Sequence, residues 1–524
     1  MVLRYEDVPQ RLNLADWFVD RNVRDGRGER TALLVGDRRV TYADLAALVD
    51  KVGIVLRELG VEPGSRVLLA LRDGVEFVAS WYAAQKIGAV TAEVYTYLQP
   101  KDYAYFLRYT DARVVLVDGV TLDLLRAADP DGRHQRLVSG VEAGALEPGE
   151  HSFDRLVDAA SGPLEPAPTG RDDVAIWKFT TGSTGEPKAC VHPARSALLS
   201  FEWYARGVLD VRPDDVVLPV PKLFFGYARD LTALFPFGVG AAGVAFPERT
   251  TPDRIFELIA RHRPTILVNV PTMMSAMVSH PDAGSQDLSC LRLCTSAGEA
   301  LPVPLLRRWE DTFGVEVVDG IGSSEAYHIY VSNRPGRARA GTVGEVVPGY
   351  RAQVVDDAGR PVHDGEIGRL QVTGRTVALE YWQAPEKSAV TFDGDTLTSE
   401  DLFVRDADGY FSYRGRADDL LKVGGVWVAP SEIEHCLAGH PGVAECAVVG
   451  HDEDGLVRPR AYVVPLTGTD PTADALREYV RAELAPYKVP RDVRFVAELP
   501  KTANGKLDRR ALRALDRGGD ADPG

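Results

Sequence analysis

The chain is expected to be an α/β protein. A large N-terminal domain of layered α/β subdomains plus a β-rich subdomain should precede a small, mobile α+β C-terminal domain. Three observations predict this. Strand-like and helix-like stretches alternate over most of the length. Short strands separated by Asp-Gly and Gly turns fill residues 344–411. At 524 residues the chain is too long for one compact core.

The elements follow in order. Residues 66–71 form a continuous apolar run that reads as a buried strand, residues 76–87 as a helix, and residues 89–94 and 112–117 as further strands. Residues 145–171, rich in Pro, Gly and acidic groups, read as a surface excursion. Another strand is expected at 265–270. The turns Asp357-Ala358-Gly359, Asp364-Gly365 and Asp408-Gly409 punctuate the β-rich part. A domain boundary falls in Gly415-Arg416-Ala417-Asp418-Asp419, giving domains of 1–418 and 419–515. The second holds strands near 444–449 and 460–464 and a helix near 473–484. The Gly/Asp-rich residues 516–524 are expected to be a disordered tail. No period of 20–50 residues recurs.

Composition narrows the class. The chain is 45% hydrophobic and 26% charged, ordinary for a globular enzyme, and its net charge of −16 argues against nucleic-acid or anionic-membrane partners. No apolar run follows a basic start and none reaches 18 residues, so the chain reads as cytoplasmic, with no membrane partner. Five scattered cysteines, 190, 290, 294, 436 and 446, read as free thiols rather than zinc ligands or a disulfide framework.

The most informative stretch is Thr180-Thr181-Gly182-Ser183-Thr184-Gly185-Glu186-Pro187-Lys188. Glycines admit backbone N–H groups close to an anion, hydroxyls add donors and lysine adds charge, which are the parts of a phosphate cradle. It is not a P-loop, which needs G-x-x-x-x-G-K-[ST]. Gly238-Val239-Gly240-Ala241-Ala242-Gly243 matches G-x-G-x-x-G but runs into a strand-like segment ended by Pro247, so a turn into a strand is expected there and not a dinucleotide site.

Four further segments keep the first company: Ser296-Ala297-Gly298-Glu299-Ala300; Asp319-Gly320-Ile321-Gly322-Ser323-Ser324-Glu325; Asp401 followed by Arg416; and Pro500-Lys501-Thr502-Ala503-Asn504-Gly505-Lys506. In this order and spacing, from about Leu12 to Leu515, the set strongly resembles the adenylate-forming superfamily of acyl-CoA synthetases, adenylation domains and luciferases. Residues 222–227, 320–335 and 421–434 are most similar to benzoate–CoA ligases.

The resemblance implies activation of an aromatic acid by ATP to an acyl-adenylate, then thioester formation with CoA. It implies that Thr180, Thr181, Gly182, Ser183, Thr184, Gly185 and Lys188 hold phosphates, and that Thr184 and Glu325 stand near ATP and Mg²⁺ as metal-binding and catalytic groups. Gly298, Glu299 and Ala300 would line the adenine, and residues 319–324 (Asp319, Gly320, Ile321, Gly322, Ser323, Ser324) would complete the nucleotide site. Asp401 would take the ribose hydroxyls with Arg416 nearby. Catalytic Lys506 would bridge the carboxylate and the α-phosphate, a task suited to a compact charge on a flexible stem. Asp418 matches a hinge, and Gly424 and Gly425 a tunnel for the pantetheine thiol of CoA or of a carrier-protein phosphopantetheine.

By the same resemblance Phe225, Gly226, Tyr227, Ala297, Gly322, His328 and Ile329 line the acyl pocket, a flat slot for a ring. Gly226 stands where alanine is typical, leaving more room. Arg229-Asp230 stands where small or apolar residues are usual; it either faces the ring and selects a hydroxyl or amino substituent, or forms a surface ion pair. Glu400 replaces a usual Gly before Asp401. The expected substrate is a hydroxy- or amino-substituted benzoate. Alternatives left open are transfer to an acyl carrier protein in natural-product biosynthesis, activation of another acid such as nitrite, and a non-catalytic nucleotide-binding homologue. A homodimer is also left open.

Overall fold

The computed structural model describes residues 2–181, 186–419, 421–423, 426–453, 456–501 and 507–518. Its N-terminal part is built on two large sheets. The first has seven strands in the order Glu150–Ser152, Gln135–Ser139, Val114–Asp118, Arg66–Ala70, Val90–Glu93, Val174–Thr181 and Pro187–Pro193. Neighbours are parallel except the last pair. Its central strands are buried on both faces, which is why they read as unbroken apolar runs. The helix Val75–Lys86 between two of them is buried almost all round.

The second sheet has nine strands, from Glu345–Val346 through Ile329–Ser332, Val317–Gly322, Leu293–Ser296, Ile266–Asn269, Val216–Pro219, Ala242–Val244 and Thr31–Val35 to Arg38–Thr41. One continuous core, with Phe18, Tyr82, Phe201, Phe235 and Phe237 among its large side chains, packs against both sheets. The G-x-G-x-x-G match is a single 3₁₀ turn, Pro236–Gly238, leading into Ala242–Val244, with Gly240 at φ +79°. The expected turn into a strand is what forms.

The β-rich subdomain has five strands: Arg351–Val355, Ile367–Thr373, Phe392–Asp393, Thr396–Arg405 and Phe411–Arg416. Gly359, Gly365 and Gly409 take φ of +74°, +89° and +88°, as their turns require. After the 3₁₀ turn Ala417–Asp419 come a hairpin (Leu421–Val423 with Val426–Val428) and a three-stranded sheet. The sheet pairs Val443–Glu453 antiparallel with Leu456–Pro465, and Leu456–Pro465 parallel with Asp492–Phe495. Helices Pro430–Ala438, Ala473–Glu483 and Arg509–Gly518 complete this part.

Two expectations are corrected. Residues 145–171 are not merely a surface excursion. They supply the edge strand Glu150–Ser152 and the helix Phe153–Ala159, and Leu164 and Ala167 are buried. The acidic signal misleads because Glu150 is itself buried, paired with Arg126 at 2.6 Å and Arg136 at 3.2 Å. Nor does order end at Leu515. The last helix reaches Gly518, anchored by buried Leu512 and by Arg509 on Glu434 (2.8 Å) and Arg513 on Asp419 (2.6 Å). The remainder of the expected tail lies outside the described residues. Cys190 and Cys294 are buried free thiols. No helix among the described residues is long and apolar enough to cross a membrane.

Candidate active site

The strands that flank the Ser/Thr/Gly stretch pair antiparallel, with Thr180 opposite Lys188 and Thr181 opposite Pro187. Gly182, Ser183, Thr184 and Gly185 lie outside the described residues, as do Gly424, Gly425 and Lys506. Asp418 is described in its backbone alone, within the turn after Arg416.

The Lys188 strand and its neighbour Val174–Thr181 are stitched to the Glu325 turn from two sides. On one, a His192 ring nitrogen, Nε2, meets the Ser324 carbonyl at 2.7 Å, and Ser324 Oγ donates to the Phe179 carbonyl at 3.3 Å. On the other, Val191 N–H donates to Glu380 O (3.0 Å) and Trp382 N–H to Ala189 O (2.9 Å). Between these, the Tyr381 hydroxyl donates to Glu325 Oε1 at 2.8 Å and Ala378 N–H donates to the Glu325 carbonyl at 2.7 Å. The Glu325 carboxylate is thereby oriented by a residue 56 positions away.

Strand Val317–Gly322 carries Asp319, Gly320, Ile321 and Gly322 into this junction, and Ser323 Oγ accepts from Ala326 N–H to start the turn Ser324–Ala326. Asp319 is buried with Oδ1 unpartnered among the described residues; burial pushes its carboxyl up to about 8. Asp401 lies opposite Arg416 in adjacent strands, with Nη1 3.6 Å from Oδ1. Buried Tyr330 is within electrostatic reach of both Asp401 and Glu325. The segments of Lys188, Glu325 and Asp401 therefore share one region.

Gly298, at φ +86°, turns the chain after strand Leu293–Ser296 and passes against Phe225. Glu299 Oε2 accepts from Thr272 N–H (3.0 Å) and Thr272 Oγ1 (2.7 Å), which fixes the loop that continues into Ala300. Around the expected acyl slot, the Phe225 and Tyr227 rings stand 6.1 Å apart and those of Tyr227 and His328 5.8 Å apart. The Tyr227 hydroxyl bonds to Thr295 Oγ1 at 2.6 Å. Ala297 and Ile329 are buried beside them in the same core.

Gly322 admits no side chain. A Cβ there would stand 2.7 Å from the His328 carbonyl carbon and 2.9 Å from Ile329 Cα, all backbone. Gly322→Ala is expected to cost about 1–3 kcal/mol of stability, as overpacking does. Gly144→Ala, whose Cβ would meet nothing within 4 Å, should change it by less than about 0.5 kcal/mol. Paired denaturant unfolding curves check this.

The structure corrects the surface ion pair read for Arg229-Asp230. Neither residue reaches the surface, and their charges are engaged with each other and with two other buried groups. Arg229 lies 2.6 Å from Glu93 and 2.8 Å from Asp230 Oδ1, while Lys178 Nζ donates to Asp230 Oδ2 at 2.6 Å. Trp81 Nε1 donates to Glu93. The quartet is electrically balanced, and all four residues are at most 5% exposed. Burial opposes each charge, yet Asp230 and Glu93 hold Arg229 ionised, and Arg229 and Lys178 hold the Asp230 carboxyl below its usual range. For Glu93 burial outweighs Arg229, so its carboxyl lies above the usual range.

Gly226 is corrected too. The space its missing Cβ leaves is occupied by Lys178, whose Nζ would stand 2.8 Å from that atom. Sequence reading missed Lys178, Glu93, Trp81 and Tyr381. The one available signal was Lys178, a lone charge in the strand run Ala-Ile-Trp-Lys-Phe. Next to Glu325, Tyr327 takes φ +76° and ψ −54°, near the strained γ-turn form, at a cost of about 1–3 kcal/mol for a non-glycine residue.

Residues 19–382 match the family of AMP-binding enzymes, and residues 432–506 match the AMP-binding enzyme C-terminal domain. The chain belongs to the AMP-binding enzymes. This AMP-binding enzyme is 42% identical to the benzoate–CoA ligase of Thauera aromatica over 97% of both chains. It is 39% identical to the 4-hydroxybenzoate–CoA/benzoate–CoA ligase of Rhodopseudomonas palustris, over 97% of this chain and 95% of that one. Among solved structures it is similar to the anthranilate CoA ligase AuaEII in complex with anthranoyl-AMP. The TM-score is 0.95 at 37% identity, covering 99% of this chain and all of that one.

Proposed function

We propose that this AMP-binding enzyme condenses an aromatic carboxylic acid with ATP, releasing pyrophosphate, and passes the acyl group from the adenylate to the thiol of CoA, releasing AMP. The observation that carries this is the convergence of the Lys188 strand, the Glu325 turn and the Asp401–Arg416 pair. A carboxylate is a poor electrophile and an anion, so its attack on the α-phosphate needs alignment and positive charge. Lys188 with the Thr180–Gly185 stretch supplies charge and donors to the phosphates, Asp401 takes the ribose, and Lys506 neutralises charge at the reacting oxygens. Glu325 presents one carboxylate held by Tyr381, and Mg²⁺ is commonly held by one or two carboxylates together with substrate phosphates. Glu325 and Thr184 are the residues that would hold it, where it neutralises phosphate charge.

The acid carries an amino or hydroxyl group. Burial pushes His328 down to about 3, so its ring is neutral and one nitrogen keeps a proton. Nε2 faces the Tyr227 carbonyl at 3.5 Å, an acceptor, so the proton belongs there. Nδ1 is then a buried lone pair without a donor among the described residues. A substrate N–H or O–H that reaches Nδ1 would satisfy it; plain benzoate carries neither.

Pyrophosphate release across benzoate, the aminobenzoates and the hydroxybenzoates, with and without CoA, tests both statements. At least one donor-bearing acid should exceed benzoate by about 10–100-fold in kcat/KM. Benzoate outranking all of them would refute the substituent. No aryl-acid-dependent release at all would refute the activation.

A further inference from the structure

Three segments of the site meet at one buried ammonium. Lys178 lies two residues before Thr180 in strand Val174–Thr181, and its Nζ makes four contacts. It donates to Asp230 Oδ2 at 2.6 Å and to the Tyr327 carbonyl at 2.6 Å, stands 3.5 Å from the Tyr327 ring centroid, and fills the space over Gly226. Gly226 and Asp230 belong to the consecutive helical turns Gly226–Arg229 and Asp230–Leu234, and Tyr327 joins Glu325 to His328.

Tyr327 is the residue that most needs holding. Its φ of +76° is one that L side chains rarely adopt, and such a conformation persists only where its surroundings over-determine it. Lys178 grips both parts of it, the carbonyl by a charge-assisted hydrogen bond and the ring by a cation–π contact. If the Tyr327 peptide relaxed, the side chains before and after it would re-aim. Glu325 would turn against its Tyr381 bond, and His328 would shift within its cage of Tyr204, Tyr227 and Phe235.

We propose that Lys178 is a positioning residue that clamps Tyr327 in its strained conformation and thereby sets Glu325 and His328 for adenylation, resting on the roles the proposed function gives those two groups. Gly226 belongs to the device, because a Cβ at that position meets Nζ.

Lys178→Met keeps the length of the side chain and removes the clamp. Lys178→Met with Asp230→Asn also removes the carboxylate charge left in excess. Both are compared with the native enzyme in acid-dependent pyrophosphate release and thermal unfolding. The expected result is a fall in kcat of about 100-fold with KM for acid and ATP changed less than about threefold, since small misplacements of reacting groups cost rates of that order. A merely structural lysine would lower the unfolding midpoint and leave kcat of the folded enzyme intact. Native-like kcat in either folded variant overturns the proposal. If neither folds, Gly226→Ala decides: a several-fold fall in kcat at unchanged KM supports the clamp, and unchanged kcat overturns it. Absence of aryl-acid-dependent release from the native enzyme would instead refute the proposed function.

Discussion

Lys506→Ala should lower acid-dependent pyrophosphate release by about 10²–10³-fold, while thioester formation from a supplied aryl-adenylate and CoA falls less than about tenfold. The asymmetry is the point. In adenylation two anions, a carboxylate and a triphosphate, must approach, and an ammonium placed between them would relieve repulsion that grows toward the transition state. In thioester formation the electrophile is already a mixed anhydride and AMP leaves readily, so that charge matters less. Lys506 lies outside the described residues. Its assignment rests on the Pro-Lys-Thr-Ala-Asn-Gly-Lys context and on the match of residues 432–506 to the AMP-binding enzyme C-terminal domain. Single-turnover assays of the two half-reactions check it, and equal loss in both would contradict the role.

What was legible in the sequence is what hydrophobic burial writes there directly. The strand expected at 66–71 forms as Arg66–Ala70, the helix at 76–87 as Val75–Lys86 and the strand at 265–270 as Ile266–Asn269, because each is a predominantly apolar segment bounded by polar or turn residues. Glycine-dependent turns were equally readable, since a positive φ or a close backbone approach leaves few other residues available. In the site, the clustering of the Lys188, Glu325 and Asp401 segments followed from the resemblance, but their mechanical connections did not. Tyr381 on Glu325 and Lys178 on Tyr327 join residues 56 and 149 positions apart, and a hydroxyl or a lysine carries no mark of its distant partner.

Two of the failures have one physical cause. Charge in sequence reads as solvent exposure, and here Glu150 and Arg229-Asp230 are buried because partners from other elements neutralise them. A balanced cluster survives in the core because each charge finds a counter-ion there, and nothing local announces it.

Arg229→Leu should destabilise the enzyme by about 3–5 kcal/mol, because it leaves a buried carboxylate without its counter-ion. Asp230 retains Lys178, so the uncompensated group is Glu93, left with the Trp81 N–H. Its carboxyl already lies above the usual range, burial outweighing Arg229, and removal of Arg229 raises it further. The sign of the pH dependence follows. A carboxyl whose folded value exceeds its unfolded value binds more protons when folded, so stability falls as pH rises from about 4.3, the ordinary glutamate value, through the raised folded value. The deficit of the variant relative to the native enzyme should therefore be larger at pH 8 than at pH 5. Adding Glu93→Gln should remove the part of that pH dependence that Glu93 contributes, leaving only that of Lys178, which burial holds down to about 8, and recover most of the loss, since an amide needs no counter-ion and the Trp81 N–H still has an oxygen acceptor. Denaturant unfolding of the native enzyme, the single variant and the double variant at both pH values measures all three quantities. A deficit below about 1 kcal/mol, or one that is the same at both pH values, would mean that Glu93 is not the group Arg229 keeps ionised.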